Sequence, residues 1–85
     1  MSNSKEGNKS VVKVNDVEYP VQHPGVRWYI KHTDASRDKK GNLSNEMYID
    51  GLLEMVVVKE VKMEDFNEVG ELQELVEKLE SFLGA

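Results

Sequence analysis

The sequence predicts a small single-domain α+β fold, an N-terminal β-hairpin packed on about three α-helices. Three observations predict it. Residues 11–22 alternate apolar and polar side chains about Asn15-Asp16, a pair that tolerates the positive φ of a two-residue turn. Two later stretches, 45–57 and 68–83, carry apolar residues at helical spacing. No strand pattern recurs between the helices, which argues against a parallel βαβ sheet.

Residues 1–10 are mostly Ser, Asn, Lys and Gly with little to bury, and read as a disordered leader to a domain spanning 11–85. The hairpin comes next, at 11–22. Its turn pairs Val14 with Val17, Lys13 with Glu18 and Val12 with Tyr19. Val12, Val14, Val17 and Tyr19 then share a buried face, and Lys13 and Glu18 face water as an opposite-charge pair. Pro20 falls opposite Val11 at a non-hydrogen-bonded position, where its missing amide would have pointed away from the partner strand. Two strands alone are marginal in water, so the ribbon must lie on helices.

Pro24-Gly25 introduces a first helix at about 25–37, with Val26, Tyr29, Ile30 and Thr33 as the stripe expected to face the central helix. Trp28 points to the opposite side, where the hairpin is expected to cover it; an aromatic anchor exposed for a partner is the alternative. Residues 38–44 form a polar loop, and Ser44 or Asn45 caps the central helix at 45–57. Tyr48, Leu52, Met55 and Val56 make its stripe, widened by Ile49 and Leu53, with Glu46, Asp50 and Glu54 opposite. The β-branched run Val56, Val57, Val58 predicts an extended exit. After an extended link at 59–62, a short turn at 64–67 tucks Phe66 inward. The last helix, 68–83, buries Val69, Leu72, Leu75, Val76, Leu79, Phe82 and Leu83, solvates Glu71, Glu74, Glu77, Lys78 and Glu80, and stops at Gly84.

Composition narrows the function classes. A chain of 85 residues buries only about 60% of the surface its unfolded form exposes, which leaves little room for a catalytic cleft. There is no cysteine, so disulfides, thiolate metal sites and thiol nucleophiles are all excluded, and a cytoplasmic address fits. No apolar run approaches the roughly 18 residues of a membrane span. With 16 acidic against 11 basic residues, phosphate backbones are poor partners and a protein is a better one.

The chemistry-bearing residues do not assemble into a catalytic pattern. His23 and His32 are nine apart on different elements, not at ligand spacing, and are expected at the surface or as caps. The run from Asp34 to Gly41 begins like a calcium loop, but Lys39 stands where its glycine belongs and Asn45 where its bidentate glutamate belongs. The glutamates of the last helix lie on its outward face and read as a solubility surface. No catalytic, cofactor-binding or metal-binding residue is expected, and no cofactor.

Five features in order span residues 12–83: a V-N-D-V-E-Y ribbon, Q-H-P-G-V-R-W at a helix start, a polar Gly-Asn loop, the run M-Y-I-D-G-L-L-E-M-V-V-V, and a final E-L-V-E-K-L-E-S-F-L helix. This order resembles the tail assembly chaperones of long-tailed bacteriophages and related prophages. The resemblance implies a non-enzymatic protein of the host bacterial cytoplasm that coats the helical tape measure protein until the tail tube assembles. It also implies a short form, since a frameshifted longer form of such proteins recruits the tail tube protein. The competing class is a small acidic inhibitor or antitoxin-like adaptor that blocks a protein target.

The central helix carries more apolar surface than one stripe and one ribbon face can cover. Methionine adapts to irregular apolar partners, so Met47 and Met55, with Trp28 across the first helix, are the candidate contacts to a helical partner or a second copy of the chain. Core burial is the alternative, more so at Met55 than at Met47.

Overall fold

Asn15 and Asp16 take φ of 51° and 68°, the two positive values that a type I′ turn requires and that match the twist of its flanking strands. The turn joins strands β1 (Lys9–Val14) and β2 (Val17–Gln22) in an antiparallel pair with the expected register, Val14 to Val17 and Val12 to Tyr19, and Val11 opposite Pro20. Helices α1 (Val26–Ala35), α2 (Asn45–Met55) and α3 (Val69–Leu83) follow, with a 3-10 turn at Met63–Asp65. The fold is therefore a small α+β domain. The computed structural model describes residues 7–84.

Order begins before the expected boundary at residue 11. Lys9 and Ser10 belong to β1, the Gly7 amide donates to the His23 carbonyl, and the His23 amide donates to the Asn8 carbonyl. Backbone pairing needs no apolar side chain, which is why composition misses it. Residues 1–6 of the expected leader lie outside the described residues.

The exit from α2 is extended, and it has a partner. Val57 bridges Val21 of β2; the Gln22 amide donates to the Val56 carbonyl and the Val58 amide to the Pro20 carbonyl. Pro20 and Gln22 thus turn their backbone groups away from β1 toward this segment, and Pro20 supplies the only group it has, its carbonyl.

The core joins Val14, Tyr19 and Val21 of the ribbon, Tyr48, Leu52 and Leu53 of α2, Val56, Val57 and Val61 of the exit, and Leu75, Leu79 and Leu83 of α3. Helix α3 lies against β1 and α2, and α1 lies on another side of α2. Phe66 tucks inward and stacks on Tyr19. Three expected burials fail at edges. Val17 is 41% exposed beside a cleft of about 170 Å³ at the hairpin tip, and Val69 is 70% exposed in the first turn of α3. Met55, placed in the central stripe, is half exposed because α2 ends there.

The largest correction is the rotation of α1. Val26 and Ile30 of its expected inner stripe are 64% and 54% exposed, while Trp28, Tyr29, His32 and Thr33 are partly buried. The helix buries none of its residues fully. The side turned inward is the one whose rings fit α2, and apolar periodicity does not register that fit.

Candidate interaction surface

Ser44 caps α2 by accepting the Met47 amide, and the stretch before it is tied rather than loose. Asp38 Oδ1 accepts the amides of Lys40 and Asn42, Arg37 donates to the Gly41 carbonyl, and the Ser44 amide donates to the Ser36 carbonyl. Asp38, a later carboxylate of the calcium-like pattern, thus serves the loop's own backbone. Among the described residues no cluster of His, Asp or Glu side chains could hold a metal ion.

Helix α1 meets α2 around the His32 ring, with Tyr29 beside it against Tyr48. A Cβ built on Gly51 would lie 1.9 Å from the His32 ring, so the imidazole occupies the space a side chain would take. There His32 Nε2–H donates to the Tyr48 carbonyl at 2.9 Å. Trp28 stacks on one side of the ring at 4.9 Å between centroids, and Tyr48 stacks at 5.9 Å. His32 is therefore a packing residue of the seam, not a surface one.

Beside it runs a short polar chain. The Tyr29 hydroxyl donates to the Tyr48 hydroxyl at 2.8 Å, and that hydroxyl donates to Glu80 Oε2 at 2.7 Å. Burial raises the Tyr48 pKa well above its ordinary value, and the Tyr29 hydrogen bond and the Glu80 carboxylate raise it further. Glu80 is thus tied to the core instead of standing on a purely solvated face. Glu71 likewise receives the Asn15 side-chain amide at the hairpin tip.

His23 is a cap, the second of its two expected roles, and it is buried instead of lying at the surface. It is 2% exposed, with Nδ1 accepting the Gly25 amide at 3.0 Å and Nε2–H donating to the Leu83 carbonyl at 3.2 Å. That pattern fixes the neutral tautomer with its proton on Nε2. The ring also tilts against Phe82, so it staples the start of α1 to the end of α3.

The three candidate contact residues gather around this seam. Met47 and Met55 are 50% and 48% exposed. With Gly51 they form an i, i+4, i+8 row on α2, so each lies about 6 Å along the axis from the notch that holds His32. Trp28 is partly buried on the other side of that ring, packed against the core, and does not stand free as an anchor. Sequence reasoning missed Gly51 as the organising residue, although a glycine inside a helical pattern is a signal of close approach.

A second depression, about 690 Å³, runs between α2 and its exit. The buried Leu53, Val57 and Val61 line it with the exposed Val58, and the acidic Asp50, Glu54 and Glu60 share the lining with Lys59 and Lys62. Lys59 is partly engaged, its Nζ lying 5.0 Å above the Tyr19 ring. Leu53, Val57 and Val61 are already buried, so the apolar surface this depression offers is mainly that of Val58, which is 58% exposed. No described helix is long and apolar enough to cross a membrane. No family model, curated protein or solved structure matches the chain.

Proposed function

We propose that the chain is a non-catalytic interaction domain that covers an apolar helical partner, working in the host bacterial cytoplasm as a phage tail assembly chaperone for the tape measure protein. The observation that carries this reading is the pair Met47 and Met55: two adaptable side chains half exposed on the central helix, one turn to either side of the Gly51 notch that the His32 ring fills. Val26 and Ile30 add separate exposed apolar surface on α1. A long amphipathic partner awaiting assembly would aggregate through its apolar stripe, and a small acidic domain with such a pair can shield it reversibly. The net charge of −5 favours solubility of the complex.

The test is co-expression with the tape measure protein. Met47→Glu and Met55→Glu should each weaken co-purification by about tenfold or more, while circular dichroism and melting stay as in the parent. Full binding by the folded variants would remove the pair from the interface. Unfolding of either would return that methionine to the core.

A further inference from the structure

We infer that α1 is a hinged flap that opens from the rest of the chain as a unit, with the His32 ring in the Gly51 notch as its latch. This is a property of the chain alone and stands whether or not the tape measure protein is its partner. Helix α3 is anchored by the buried side chains of Leu75, Leu79 and Leu83, whereas α1 has no fully buried residue and turns Val26 and Ile30 to water. What fastens α1 to α2 is a set of ring contacts and two hydrogen bonds, His32 to the Tyr48 carbonyl and Tyr29 to the Tyr48 hydroxyl.

Both ends of α1 stay tethered when these contacts part. The His23 staple holds the entry, and the Ser36 to Ser44 backbone bond holds the exit. With 10 residues, α1 is shorter than the roughly 12–15 that an isolated helix needs, so release of the latch also melts it. Segments with few buried apolar contacts open at lower free energy than the global transition. Opening uncovers Tyr48 and the bare backbone of Gly51 between Met47 and Met55, converting a row interrupted by His32 into a continuous strip.

Native-state hydrogen exchange on the full chain tests this. Amides of Ile30 through Ala35 should exchange at least about tenfold faster than those of Leu75 through Leu79, and with little dependence on low urea, as expected of a local opening. Gly51→Ala places a methyl in the notch; it should speed α1 exchange by a further tenfold or so and red-shift the emission of Trp28, the single tryptophan, while α3 exchange is unchanged. Removing the ring in Gly51→Ala/His32→Ala makes room for the methyl, so the two changes together should cost less than the sum of each alone. Exchange of α1 at the α3 rate and with the same urea slope would overturn the flap. Unchanged α1 exchange in Gly51→Ala would overturn the latch. Should Gly51→Ala unfold the whole chain, the latch is part of the global core and the inference fails.

Discussion

Gly51 stands inside α2, where alanine would be better by about 1 kcal/mol on intrinsic helix propensity. The His32 ring reverses that preference, because a methyl there meets a ring already held between Trp28 and Tyr48. Tyr48 is the other residue on which the seam turns. Its hydroxyl both accepts from Tyr29 and donates to Glu80, so Tyr48→Phe leaves two partners unsatisfied and should cost about 1–3 kcal/mol at neutral pH. The same residue predicts an alkaline limit. The ordinary tyrosine value is 10.0, and burial raises both Tyr48 and Tyr19, the latter helped by the Glu71 and Asp65 charges. Below pH 10 both folded and unfolded chains hold these protons, and the full stabilisation is present. Above it the unfolded chain releases them before the folded chain does, so stability should fall as pH rises, at up to about 1.4 kcal/mol per pH unit for Tyr48. Urea midpoints from pH 9 to 11 should fall less steeply in Tyr48→Phe; equal slopes would show that Tyr48 is not the group responsible. These roles were poorly legible in the sequence for a physical reason. His23 bonds to a carbonyl 60 positions away and His32 to one 16 away, and no local pattern encodes either partner.

At the scale of elements, legibility followed the source of each element's stability. The hairpin was readable because its turn residues fix register locally, and α3 because one long stripe meets one apolar surface. Leu75 and Leu79 are wholly buried in mid-helix, so Leu75→Ala and Leu79→Ala should each cost about 2–5 kcal/mol by chemical denaturation. Variants that unfold at the parent midpoint would make α3 a detachable tail. The face of α1 was misread because its apolar residues at i, i+3, i+4 and i+7 look like a core stripe, yet the helix docks by rings and hydrogen bonds. At the exit of α2 the β-branched run announced an extended segment but not that β2 would pair with it; that edge is free only because Pro20 and Gln22 face outward. Of the candidate contacts, Met47 and Met55 were legible as surplus apolar surface, and Trp28 was misplaced along with its helix.

Taken whole, the molecule carries its negative charge with little internal compensation. The two ion pairs among the described residues, Lys13 with Asp16 and Lys78 with Glu74, are exposed and add little. On the outer face of α2, Glu46, Asp50 and Glu54 repeat at i, i+4 and i+8, and all three are exposed. Like charges at that spacing destabilise a helix by about 0.2–0.5 kcal/mol per pair, and salt screens them because they stand in water. The fold should therefore gain roughly 0.5–1 kcal/mol when sodium chloride is raised from about 0.02 to 0.5 M, read as a higher urea midpoint at constant slope. Asp50→Lys identifies the source. It turns two repulsive spacings into attractive ones, so the variant should be more stable than the parent at low salt and should lose much of the salt response. If the parent's midpoint is flat or falls with salt, the acidic row costs the fold nothing. If Asp50→Lys keeps the parent's full response, the repulsion is spread over the surface instead of concentrated on α2. A confirmed cost would mean that α2 keeps this row of charge at the expense of its own stability, as a surface shaped for solubility beside an apolar contact strip would.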